Sequence, residues 1–356
     1  MKTHFKSLGM GMFLSVALLS GCGPETETPN PTLTVSERCD ESIAEYKAFD
    51  VTHHEPQDKR LVAIDEMMVL FGEAEKDLTK KVTAADAILA KYKDPATSLQ
   101  AKVLGREDKH FTGDAAAVGP DIDAAILGSL DELRTADSLT KVSLAKQRFQ
   151  KAGIYRFLYL SVMEELYEPS LKHYDEAFGY LGTGASNAEA GRKGLARLAT
   201  SRDGNNGTTL SAELFALVKE GSCLIEGALK AKGTDTMAVD ADEPYARFVN
   251  RLDAKLQSVF AYSLGHELYD IDLNKTKPAT AYVKLVEGEG FFRTLEPYMK
   301  NAPAGSAKAN LAAKLRPAFD SAIAKAKNND VTWIDDIKAT ELLTELEAAF
   351  FIDVKS

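Results

Sequence analysis

Cysteine is scarce in this 356-residue chain, with three residues, tryptophan occurs once, and histidine only six times. No two cysteines stand at metal-ligand spacing and no Cys-x-x-Cys-His is present, so a cysteine-built zinc site and a c-type haem lose their signals. Nor is there a Gly-Lys-Ser/Thr phosphate loop, a Gly-x-Ser-x-Gly elbow or a His-Glu-x-x-His pair, the ordinary marks of nucleotide enzymes, serine hydrolases and zincins. Basic residues fall short of acidic ones, 43 against 53, for a net charge of −10. Such a chain has no overall electrostatic reason to seek nucleic acid or anionic lipid, and no nucleic-acid partner is expected. Beyond the amino terminus no run is apolar enough to span a bilayer, which argues against a multi-span membrane protein. What is there, 45% hydrophobic and 27% charged residues, matches a folded globular body.

The amino terminus reads as an export signal. Lys2 and Lys6 precede an uncharged stretch from Leu8 to Ser20 that is too short to cross a membrane as a stable helix. It closes on Leu19-Ser20-Gly21-Cys22, which resembles the lipobox of bacterial lipoproteins, so residues 1–21 are the expected lipoprotein signal peptide and Cys22 the lipidation site. Residues 22–36 carry Pro24, Pro29 and Pro31 and no apolar face, as a flexible tether would. Each buried lipid methylene contributes about 0.8 kcal/mol, so more than one acyl chain would hold the body at a membrane without a spanning helix. The expected location is the bacterial envelope, the outer membrane before the inner. There Cys39 and Cys223 face oxidising conditions and could pair as a disulfide or remain unrelated.

The body, 37–356, is expected to be all-α, a helical bundle with a Gly-rich loop insertion. Apolar residues recur at helical spacing almost throughout and no alternating run is bounded by hairpin turns. Expected helices cover 37–48, 58–92, 121–134, 138–168, 170–181, 210–231, 244–271, 278–300, 306–327 and 333–351, several opening with proline (Pro120, Pro169, Pro244, Pro278). The interruption at 182–209 holds six glycines and a short expected helix at 187–198. It reads as a surface loop or as a division between two lobes.

Three places put ionisable groups where an apolar face is expected. In 243–274 a stripe through Tyr245, Phe248, Val249, Leu252, Leu256, Val259 and Phe260 runs on to His266, Glu267 and Asp270. On the next helix Glu289 and Glu296 share the side of Leu285, Phe292 and Met299, with Glu287 directed away, so His266, Asp270 and Glu289 are expected to approach one another. In 171–181, His173 and Glu176 are three residues apart and so adjacent on the helix surface, a spacing that lets two side chains share a metal ion. Buried charge is costly unless paired or coordinated. These residues therefore either satisfy one another or bind something. Oxygen-rich sets with one or two imidazoles suit a divalent or ferric ion such as iron, manganese or zinc rather than copper(I). His53, His54 and His110 are expected to be solvated.

The run His173-Tyr-Asp-Glu-Ala-Phe-Gly-Tyr-Leu-Gly182 resembles the His-Trp-Asp-Glu-Ala-Phe-Gly-Tyr-Phe-Gly signature of a Bacteroidetes family of envelope lipoproteins of unknown function. Val286-Glu-Gly-Glu-Gly-Phe-Phe292 resembles that family's Ser-Glu-Gly-Tyr-Ala-Phe-Ile segment, and order and spacing agree across about 140–300. Tyr174 stands in place of the family's Trp, and Val283 where a His would stand. A more distant likeness is to imelysin-like envelope proteins, whose Gly-x-His-x-x-Glu motif is not reproduced by Gly265-His266-Glu267. The resemblance implies an all-α, lipid-anchored envelope protein linked to metal acquisition, with an interaction lipoprotein that lacks a ligand site as the alternative. An imelysin-like peptidase is a third reading. Envelope proteins are the expected partners beside the membrane itself.

Overall fold

The computed structural model describes residues 48–182, 193–236 and 244–355. By its contacts the chain separates into Met1–Thr34 and Val35–Ser356, and the described residues all belong to the second unit, including those on both sides of 182–209. The signal peptide, the tether, Cys22, Cys39 and nearly all of the helix expected at 37–48 lie outside the described residues.

The fold is all-α. The helices are α1 (Val51–Lys76), α2 (Lys81–Tyr92), α3 (Leu99–Leu104), α4 (Gly119–Thr135), α5 (Leu139–Gln147), α6 (Arg156–Tyr167), α7 (Leu171–Leu181) and α8 (Gly194–Asn206). They are followed by α9 (Leu210–Lys232), α10 (Pro244–Leu273), α11 (Pro278–Lys300), α12 (Ala307–Lys327), a short α13 (Trp333–Asp336) and α14 (Ala339–Phe350). Among the described residues there is no strand, only two isolated bridges, Glu107 to Ala117 and Ser170 to Thr236. No helix among them is long and apolar enough to cross a membrane.

The breaks have local causes. The span expected as one helix over 58–92 is two, because Asp77 adopts extended backbone and its side chain accepts from the Thr79 N–H, starting a new turn. Ser170 caps α7 by accepting from the His173 N–H at 3.0 Å, and Gly182 ends it at φ +80°, a conformation that favours glycine. In the Gly-rich segment, α8 starts later than the expected 187–198 and runs longer. Leu195, Ala196, Leu198 and Ala199 bury one face, and Asp203 in its last turn caps α9 by accepting from Leu210 N and Ser211 N.

Between α5 and α6 the chain stays helical but widens to a π-helix over Arg148–Tyr155, which shifts the phase of every side chain after it. α10 packs on α9, α11 and α14, and α11 on α10, α12 and the π segment. Every residue from Leu285 to Phe292 on α11 is buried. Aromatic pairs stitch the layers, Phe71 to Phe149, Tyr159 to Phe260 and Phe292 to Phe319. Full burial of each such ring contributes about 1.5–3 kcal/mol. Gly290 lets α11 approach the π segment: a Cβ there would sit 2.5 Å from that of Lys151.

Candidate metal centre

α6 and α7 form a helical hairpin closed by Glu168-Pro169-Ser170, since proline cannot continue α6 and serine caps α7. The hairpin sets Glu165, in the last turn of α6, against His173 and Glu176 on the first two turns of α7. One ligand atom from each of these three residues lies within 4.8 Å of the others. His173 donates from Nδ1 to the Glu168 carbonyl at 2.5 Å. That bond fixes the tautomer and leaves the Nε2 lone pair available, the arrangement of metal-ligating imidazoles.

The charge balance here is unfavourable without a cation. Glu165 is 7% exposed, and burial followed by the neighbouring Glu176 carboxyl pushes its pKa up to about 8, with Arg106 opposing. Arg106 is itself committed to Glu164 at 2.7 Å, its guanidinium over the rings of Phe157 and Tyr180. Lys172 approaches Glu176 only to 3.8 Å and is largely exposed. Asp175, between the two α7 ligands, faces the other way: fully buried, it accepts from Phe49 N and Asp50 N at 3.0 Å each and from His53 Nδ1 at 2.8 Å. His53 is therefore a brace between α1 and α7, not a solvated side chain, and His54 is held by Asp58 at 2.8 Å.

The second expected group is arranged differently. His266 Nε2 lies 3.7 Å from Asp270, and Lys284 Nζ of α11 stands among Asp270 at 3.0 Å, Glu267 at 3.2 Å and Glu287 at 3.7 Å. Burial opposes the Lys284 charge, but Glu267, Glu287 and Asp270 together raise its pKa. Burial and Glu287 push Glu267 up to about 8, while burial and Arg202 lower His266.

Glu289 does not join His266 and Asp270. It accepts from Arg293 Nε at 2.5 Å and Arg316 Nη1 at 3.0 Å, whereas Glu287, expected to point away, faces α10. The expectation assumed a single apolar stripe, but α11 is buried around its whole circumference here, so neighbouring carboxylates serve different partners.

His110, expected to be solvated, is enclosed as well. It lies 17% exposed between two carboxylates, with Nδ1 2.8 Å from Asp108 and Nε2 3.0 Å from Asp253. Burial opposes its charge, yet hydrogen bonds to Asp108 and Asp253 push the pKa up to about 9. Tyr298 donates to Asp108 at 2.7 Å and Tyr159 donates to Asp253, completing a network that pins the polar loop after α3 to α6, α10 and α11. Cys223 is disulfide-bonded, and Cys39, which the sequence leaves open as its partner or as unrelated, lies outside the described residues.

Sequence reasoning passed over Glu165 and Lys284. A carboxylate pair just ahead of a Glu-Pro-Ser turn was the available signal for the first, since such a turn folds α6 back along α7. Compared with models of protein families, with curated proteins and with solved structures, the chain matches none.

Proposed function

We propose that this chain is a lipid-anchored envelope protein whose helical body binds a divalent or ferric metal ion through Glu165, His173 and Glu176. The observation that carries the reading is the convergence of three ligand atoms within 4.8 Å, with the His173 Nε2 lone pair left free by the bond from Nδ1 to Glu168. Two carboxylates and one imidazole suit iron, manganese or zinc, and three protein ligands leave coordination positions for water or a cargo ligand. A cation would also relieve the repulsion between Glu165 and Glu176. The anchor rests on the lipobox-like run ending at Cys22.

The test is binding of manganese, zinc and ferrous iron to purified protein by calorimetry and elemental analysis. One equivalent should bind, and His173→Ala should weaken it at least tenfold, since loss of one of three ligands removes a large share of the site. Absence of binding by all three ions, or unchanged binding in His173→Ala, overturns the reading. For the anchor, Cys22→Ala should abolish acyl labelling and release the body; undiminished labelling refutes it. The alternative, an interaction lipoprotein without a ligand, draws on the α10 and α11 cluster, where Lys284 already supplies the positive charge.

A further inference from the structure

A second feature lies on another face, between α4, the start of α6, α11 and α12. A cleft of about 760 Å³ is lined by Arg156, Arg293, Lys300 and Arg316, with Asp121 and Glu296 as the acidic groups. In a chain of net charge −10 this is a local excess of cations.

Two of the three carboxylates in reach, Glu296 and Glu289, are already committed, while Asp121 acts on Arg156 only from beyond 4 Å. Glu296 accepts from Arg316 Nε at 3.0 Å, takes a second bond from the same guanidinium, and pairs with Lys300 at 2.7 Å. Glu289, just behind, serves both Arg293 and Arg316. Arg316 is further fixed over the Phe292 ring, 5.0 Å from its centroid. It is a rigid wall rather than a free donor.

Arg156 differs from all of these. It is the first residue after the π segment, it is half-buried, and among the described residues its guanidinium makes no hydrogen bond and no ion pair within 4 Å. Arg293, 45% exposed, is held through Nε alone, leaving both terminal nitrogens of its fork without a protein acceptor among the described residues. Burial lowers the Arg156 pKa; the Asp121 carboxylate across the cleft opposes this and the nearby Arg293 charge adds to it. Two guanidinium groups facing one cleft with donors unused leave hydrogen-bonding capacity that an anion between them would satisfy.

We propose that this cleft binds a tetrahedral phosphate-type oxyanion between the guanidinium forks of Arg156 and Arg293, with Lys300 at the rim. Planar forks match phosphate oxygens in bidentate fashion. A carboxylate offers two oxygens where the cleft presents two forks and an ammonium; a phosphate group offers enough oxygens for all three. The cleft is open and large for the bare ion, so the phosphate can be free or carried on a headgroup. The site shares no residue with the metal centre, and either reading can fail without the other.

The experiment compares inorganic phosphate with chloride at matched ionic strength by calorimetry and thermal unfolding. A parallel arm uses Cys22→Ala protein with phosphatidylglycerol and phosphatidylcholine vesicles. Phosphate is expected to bind at one site, with affinity reduced at least tenfold in Arg156→Gln and in Arg293→Gln. The unfolding temperature of Arg156→Gln without phosphate should be unchanged or higher, since removing an unpaired charge relieves repulsion; a merely structural arginine would lower it. Binding to phosphatidylglycerol vesicles but not to the free ion, lost in Arg293→Gln, supports the site with a headgroup as its source. Binding of neither probe above its control, or equal binding by both variants and the parent protein, overturns the proposal.

Discussion

The α6 and α7 hairpin and the α10 and α11 pair carry the same kinds of group, imidazole and carboxyl on helix sides that face the interior, yet they solve the charge problem in opposite ways. Glu267, Asp270 and Glu287 surround Lys284, a cation delivered by the fold itself. Glu165 and Glu176 face each other and His173 with no comparable cation between them among the described residues: Lys172 reaches only 3.8 Å and lies mostly in solvent, and Arg106, which acts on Glu165, is paired with Glu164. An acidic cluster inside a bundle is thus informative only after its internal cations have been counted. The cluster that balances itself reads as structure, and the one left unbalanced reads as a site.

The sharpest way to break this contrast is to remove the built-in cation. Lys284→Met should cost about 3–5 kcal/mol, because it leaves three carboxyl groups crowded in a partly dry space. Urea unfolding measures it, and a loss below about 1 kcal/mol would mean that Lys284 does not hold the cluster. Supplying a cation to the other cluster should do the reverse. Manganese or zinc at a hundred times its dissociation constant should stabilise the protein by about 2.7 kcal/mol. That gain should fall by at least about 1.3 kcal/mol in His173→Ala, the equivalent of a tenfold loss of affinity, and persist in His266→Ala, and equal loss in both variants would erase the distinction between the two regions.

His110 provides a third point on the scale, an imidazole whose counter-charges are both carboxylates. Its folded-state pKa of about 9 lies above the ordinary value near 6.5. The stability it contributes is therefore fully present below about pH 6.5 and is lost as pH rises through about 9. The change across that window should be on the order of 2 kcal/mol and should flatten in His110→Gln. A stability profile of the parent protein that is level from pH 6.5 to 9 would refute the paired imidazolium.

The helical class was legible because periodicity and helix formers are local properties, and ends such as Ser170 and Gly182 carry their own capping chemistry. His173 and Glu176 were legible for the same reason: their adjacency is fixed by helix geometry alone. Glu165, Lys284 and the partners of His110 were not, since each contact crosses between elements. His110 reaches Asp253 over 143 residues. Glu289 misled because a stripe predicts one buried face, whereas α11 is enclosed on every side and distributes Glu287 and Glu289 to different neighbours.

The smallest expected effect is also the one that isolates His266. Its Nδ1 is buried without a hydrogen-bond partner, Asp270 stands 3.7 Å away, and Asn205 approaches Nε2 only to 3.5 Å. Burial and the Arg202 charge hold its pKa below the usual value, so the ring is neutral at pH 7 and contributes no charge to the Lys284 cluster. A neutral ring with loose contacts should be dispensable: His266→Ala should cost no more than about 1 kcal/mol, the range of an ordinary side-chain truncation without a broken network. Its imidazole nitrogen shifts should stay those of the neutral form from pH 7 upward. A cost above about 3 kcal/mol would instead mean that the imidazole belongs to the charge network and is protonated by it. The two clusters would then be alike in kind, and unbalanced charge would no longer set the α6 and α7 hairpin apart.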